Sequence, residues 1–337
     1  MYSFPFLDSL FKKPKVIDID HERRNISNLA IGVASITFFT LLAQIVLINV
    51  LAIFAPALTA SYLALMFVNA VTMYGIAMPL SMIYFNRCEA HPVEKRKMDA
   101  GTLIGVIFLC FALMYVGSIV GNWIEELTSS LMGKAATNPV ADTVSEIPLW
   151  AIFLFMVILA PIFEEIFFRR VVINRLRRYG DGPAIVVSGV IFGVIHGNFS
   201  QFFYAALLGM VFAAIYLHTG NLKITIFLHM VINFMGSFYT SVMMEKFGGE
   251  IPAEFTEEII EMYPTGYTMM SAYSMLYTAS LIFAIPVLIR LIREFRRSPA
   301  EVSLKGSQRF KAVFCNLGFW FATLFLLGNF ALSIIPI

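Results

Sequence analysis

Two adjacent acids, Glu164 and Glu165, lie inside an apolar stretch that runs from Leu149 to Phe168 (LWAIFLFMVILAPIFEEIFF). A carboxylate in a membrane helix costs about 2.5–3.5 kcal/mol on insertion scales, so it marks a functional site wherever partners for it can be named. Arg169 follows Glu165 by four residues and shares its helix face, acid first, the better order for an ion pair. Glu164 points about 100° away. One acid is thereby neutralised. The other faces an interior cavity, poorly solvated and beside a second charge, as a general base working near neutral pH requires. His196 follows Phe192 by four in FGVIHGNFSQF, and His229 and Asn233 share a face of ITIFLHMVINF. An imidazole at 196 can help bind a water held by Glu164 or relay its protons. A His and an Asn carboxamide, both donors, can stabilise an oxyanion. A single intramembrane His or Asn is more often interhelical glue, and a lone Glu–Arg pair is as readily structural as functional. Structural glue has no need of an adjacent diacid, and these residues recur on three neighbouring segments.

The surrounding chain is made to hold such groups out of water. Of 337 residues, 59% are hydrophobic and 14% charged, where a soluble domain carries about 25% charged. The apolar runs are continuous, which disfavours a β-barrel with its alternating pattern. The fold class expected is all-α: a polytopic helical membrane protein with about eight or nine transmembrane helices and a central four-helix catalytic core. Apolar segments run over 29–54, 60–85, 101–123, 148–168, 183–197, 202–217, 224–243, 269–289 and 312–336. Of the 24 Lys and Arg residues, 22 fall in alternate connections and two in the others, which places the N-terminus in the cytoplasm and, for nine passes, the C-terminus outside. The connection 244–268 is acidic (Glu245, Glu250, Glu254, Glu257, Glu258, Glu261) and belongs outside. The net charge of +2 says little about partners.

Segments five and six are short, and the link Gly197–Gln201 carries no charge. They form either two full passes or one re-entrant hairpin. Full passes leave His196 near the outer surface, far in depth from Glu164. A tip that stops within the bilayer brings the two level, and the chemistry favours that arrangement. The chain divides into an N-terminal segment with three helices (1–147), a core (148–243), and an acidic loop with two C-terminal helices (244–337). The first fifteen residues show no signal-peptide pattern, so the first apolar run reads as an uncleaved helix. Cys88, Cys110 and Cys315 show no metal-ligand spacing, and Cys110 and Cys315 read as small packing residues. His218 reads as interfacial, and His21 and His91 as solvated. The basic runs Arg175–Arg178 and Arg290–Arg297 read as orientation signals beside anionic headgroups.

The three spacings Glu164-Glu165-Ile-Phe-Phe-Arg169, Phe192-Gly-Val-Ile-His196 and His229-Met-Val-Ile-Asn233 resemble the motifs of the CAAX-protease and bacteriocin-processing (CPBP, or Abi) family of intramembrane endopeptidases. Each is weak alone; the ordered set in successive apolar segments is specific. The resemblance covers about residues 148–243 and leaves the first three and last two segments without a motif. It implies that Glu164 activates water with help from His196, that His229 and Asn233 form the oxyanion hole, and that Glu165 and Arg169 hold the geometry. It also implies a membrane-associated protein or peptide substrate and a prokaryotic plasma membrane. No cofactor is expected, since the separated roles need none, although two Glu and two His could assemble a zinc site. Two rivals stand beside hydrolysis. One is a silent scaffold or immunity protein that uses the same cavity for binding, which complete motifs disfavour. The other is a proton-coupled transporter, which would bring inverted repeats that the chain lacks.

Overall fold

The computed structural model describes residues 17–133, 146–252, 254–295, 302 and 304–332. The signal-peptide reading on the first fifteen residues lies outside them, as do Lys134, Arg296, Arg297 and the last residues of the ninth apolar segment. Among the described residues there is no strand. The long elements are α1 (Ile19–Phe54), α2 (Tyr62–Phe85), α3 (Ala100–Leu131), α4 (Leu149–Tyr179), α5 (Asp181–Ile195), α6 (Phe199–Thr219), α7 (Leu222–Lys246), α8 (Pro264–Phe295), α9 (Gly306–Val313) and α10 (Leu317–Leu332). Seven are long and apolar enough to cross a membrane, and α9 with α10, bent by 63°, makes an eighth if the pair is one span. The chain is an integral, polytopic, all-helical membrane protein.

The fifth apolar segment is the exception to nine full passes. Helix α5 has 15 residues, or about 22 Å, against a hydrocarbon core of about 30 Å. It ends at His196, where Gly197 takes a φ of +73°, a left-handed value open to glycine. Asn198 then caps α6 by accepting from Gln201 N at 2.9 Å. Glu164 lies sixteen residues before Gly180 and His196 sixteen after it. Two helices folded back at Gly180 therefore bring those residues level.

Helix α4 runs on past the expected end at Phe168 to Tyr179, so Arg169 lies inside the bundle rather than in a connection. The helix is not uniform. A π-helical stretch, Ile152–Leu159, precedes Pro161, and a second, Ile166–Ile173, follows Glu165. In α2 the π-helical stretch Val71–Ala77 likewise precedes Pro79. A proline removes one i→i−4 donor and its ring crowds the preceding turn, which a widened turn accommodates. The widening also shifts the faces that the flanking side chains occupy.

Helix α6 lies at the centre. It packs along α5 on one side and α3 on the other. A β-carbon at Gly117 or Gly121 of α3 would collide with the backbone of α6 at Tyr204 or Phe199, so these glycines set the close approach. One apolar cluster joins α3, α6, α7 and α8 through Leu109, Phe212, Leu228 and Tyr277. A second joins α1, α2, α4 and α5 through Ile36, Phe85, Phe168 and Phe192.

The connections after α2, α4 and α6 meet at one face: His91 N donates to Asn174 O at 2.6 Å and Arg96 N to Thr219 O at 2.7 Å. The run Arg175–Arg178 is built into this face rather than spread over it. Arg175 is buried, donating to Phe85 O and Val171 O. Arg177 donates to Pro92 O, and Arg178 pairs with the buried Glu22 of α1 at 2.8 Å. Helix-end arginines have orphan backbone carbonyls within reach, and these bonds compete with headgroups for them. Cys110 packs in the core as expected; Cys315, at the bend between α9 and α10, is exposed instead.

Candidate active site

The two acids of α4 have different surroundings. Glu165 is fully buried and accepts from Arg169 at both oxygens, Nε to Oε2 at 2.9 Å and Nη2 to Oε1 at 3.2 Å. This fork-to-fork pairing is the strong form of the interaction. The guanidinium reaches further: Nη1 donates to Ser188 Oγ on α5 at 3.0 Å and to Gly209 O on α6 at 3.1 Å. Phe168, Phe192 and Phe212 enclose it, their ring centroids 5.5–5.8 Å from its central carbon. An arginine inside a membrane bundle survives only with its charge paired and its donors spent. Here one residue fastens α4 to both α5 and α6.

Glu164 is held more loosely. Its side chain is 14% exposed, and it accepts one direct hydrogen bond, from Tyr74 Oη on α2 at 3.3 Å. His229, from α7, stands between the carboxylates. Its Nδ1 lies 3.3 Å from Glu165 Oε1, and its Nε2 lies 3.9 Å from Glu164 Oε2. The second separation is too long for a hydrogen bond and short enough for one water to bond both atoms.

His196 closes the arrangement from the end of α5. Its Nδ1 is 2.7 Å from Phe192 O, and its ring meets the Phe192 ring at 5.0 Å. The Phe192 ring in turn lies 5.7 Å from that of His229, so both imidazoles meet one phenylalanine. His196 is within electrostatic reach of both Glu164 and His229. The tip of α5 thus stops level with the acids. Asn233, one turn beyond His229, donates Nδ2 to Met156 O on α4 at 2.8 Å. A carboxamide has two N–H bonds, and one remains. The π-helical stretch Phe234–Tyr239 begins at the next residue.

All six residues singled out by motif lie on α4, the end of α5 and α7, and the fold gathers them around His229 and Arg169. The motif reading missed four partners: Tyr74, Ser188, the carbonyl of Gly209, and the Met156 carbonyl. Two are backbone atoms, invisible to a search by residue type. Ser188 stands one turn before Phe192 in an apolar helix, a weak signal. Tyr74 had none, being one aromatic in a long apolar run.

A metal here would have to compete with Arg169 for its donors. Both oxygens of Glu165 are committed to a guanidinium, and a cation beside Arg169 would meet its charge at short range. Among the described residues no three His, Cys, Asp or Glu side chains are grouped to hold an ion. A groove of about 450 Å³ on the outer side of α7, lined by Phe111, Val157, Phe227, Met230 and Phe234 among others, is wholly apolar and separate from the acids.

Comparison with known proteins singles out the same stretch of chain. Residues 146–235 match the family described as "Type II CAAX prenyl endopeptidase Rce1-like". A Bacillus subtilis (strain 168) protein named "Putative membrane peptidase YdiL" is 31% identical over 98 residues, which is 29% of this chain. The chain covers 39% of that relative's length. No solved structure matches. The matched stretch contains α4 to the middle of α7.

Proposed function

We propose that this protein is an intramembrane endopeptidase that hydrolyses a peptide bond of a membrane-associated protein or peptide with water activated by Glu164. The observation that carries the reading is the contrast between neighbours: Glu165 is saturated by Arg169 and His229, whereas Glu164 keeps an oxygen turned towards His229 Nε2 at 3.9 Å. A water bonded to Glu164 Oε2 gives its proton to that carboxylate as its oxygen attacks the carbonyl carbon. His196, whose ring also meets Phe192, assists in holding it. The tetrahedral oxyanion takes hydrogen bonds from the free N–H of Asn233 and from His229 Nε2–H when that ring carries both protons. The C–N bond then breaks, and the proton held by Glu164 passes to the leaving amine. Glu165 and Arg169 position; they do not react. No step passes through a metal, so enzyme treated with chelator keeps its activity, and rescue by added zinc would overturn that part.

The substrate class follows the family description: a protein anchored at the membrane, presented near its C-terminus. The basic face is cytoplasmic, in a prokaryotic plasma membrane. The test uses detergent-purified protein and a quenched-fluorophore farnesylated peptide ending in a CAAX sequence. Glu164→Gln should lower kcat/KM at least about 10³-fold while melting temperature and elution volume stay as in the parent. A fully active Glu164→Gln variant removes the assignment.

A further inference from the structure

Tyr74 lies outside the stretch that matches the family, on a helix in which the sequence carries no motif. It nonetheless supplies the one direct hydrogen bond that Glu164 accepts among the described residues, Oη to Oε1 at 3.3 Å, across 90 residues of chain. Two features aim it. The ring stacks on Phe163, the residue before Glu164, with centroids 4.8 Å apart and planes 8° from parallel. It also sits midway along the π-helical stretch Val71–Ala77, whose wider turn sets the direction in which the side chain leaves α2. A phenol held by stacking has lost its rotamer freedom before it bonds, so little is left to order.

We infer that Tyr74 is a positioning residue for the reaction: its hydroxyl holds Glu164 Oε1 so that Oε2 faces His229 Nε2 and the water between them. This rests on the reading of Glu164 as the base. A carboxylate turns readily about its last bond, and a second anchor decides which oxygen faces the reacting atoms. The other titratable and charged groups facing Glu164 are His229 from α7, His196 from α5, Tyr204 from α6, and Glu165 with Arg169 on α4. None of these donates to Oε1. Through Tyr74, the N-terminal helices become part of the site rather than packing around it.

Tyr74→Phe keeps the stacked ring and removes only the hydroxyl. Infrared spectra of the protein are recorded, with Glu164→Gln identifying the carboxylate stretching band of Glu164. In Tyr74→Phe that band should change frequency, because the carboxylate has lost a hydrogen bond. With the farnesylated peptide, kcat should fall about 10-fold with KM unchanged. Replacing Tyr74 with 3-fluorotyrosine, a stronger donor of the same shape, should move both readouts the opposite way, and it stands in if the Phe variant folds poorly. An unmoved band, or a fall in kcat/KM carried by KM rather than kcat, overturns the proposal. The spectroscopic arm separates its failure from that of the reading beneath it: an active Glu164→Gln variant sinks the base assignment, while the band reports the Tyr74 bond in either case.

Discussion

Helix α4 carries two arginine–carboxylate clusters, one near its middle and one at its end, and they are built alike. At the end, Glu22 of α1 accepts from Arg178 at 2.8 Å and from Tyr179 Oη at 2.6 Å, tying α1 to α4. In the middle, Glu165 accepts from Arg169 and lies against His229, tying α4 to α5, α6 and α7. Each acid is buried and satisfied. The difference lies next door: the middle cluster has Glu164 beside it, short of partners, and the end cluster has no such neighbour on α1, where Glu22 is flanked by His21 and Arg23. A buried Glu–Arg pair is therefore a fastening device wherever it occurs. Chemistry is marked by a carboxylate that the fold brings to the same place and leaves unfinished.

Separating the two clusters by mutation sharpens this distinction. The largest effect is expected at Arg169. Its loss in Arg169→Ala leaves Glu165 buried without a counter-charge, at a cost of about 3–5 kcal/mol. The variant should melt far below the parent in detergent or fail to accumulate, whereas Glu164→Gln should melt normally and be inactive. An Arg169→Ala protein as stable as the parent would erase the fastening role. At the other end, Arg178 is partly solvated, and Arg178→Ala should cost about 1 kcal/mol, lowering the melting temperature by about 2–4 °C. Its kcat/KM should stay within about twofold. Loss of activity matching that of Glu164→Gln would mean that the end cluster does more than fasten.

The smallest effect belongs to a carboxylate in neither cluster. Asp99 caps α3, accepting from Thr102 Oγ1 at 2.6 Å and Thr102 N at 2.9 Å. These bonds, the hydroxyl's first, hold its pKa below the usual carboxylate value of 3.8. Because the folded value is the lower one, the cap's contribution is complete above about pH 4 and lost as pH falls through the lowered value. A melting-temperature decline below pH 4 that persists undiminished in Asp99→Asn would show that the cap plays no part.

Much of the site could be read from local spacing. Glu165 and Arg169 are four apart on one helix, and their pairing follows from helix geometry alone. The level of His196 follows from its distance to Gly180, once the shortness of α5 is taken as a stop within the bilayer. Other features could not be read this way. Arg169 looked like the start of a connection because it ends the apolar run, and only burial among Phe168, Phe192 and Phe212 explains how a charge stays inside. The arginines 175–178 looked like surface charge because residue type does not reveal which backbone carbonyls lie within reach.

By itself the sequence determined what short-range periodicity controls: the apolar helices, the separation of the two acids onto different faces, and the ion pair one turn along. Tertiary structure alone decided that His229 stands between the two acids, that Arg169 also reaches α5 and α6, and that Tyr74 reaches Glu164 from ninety residues away. The physical reason is that helix spacing sets direction within a few turns. A contact between helices also depends on their approach, here drawn close at Gly117 and Gly121 and turned by the widened stretches beside Pro79 and Pro161.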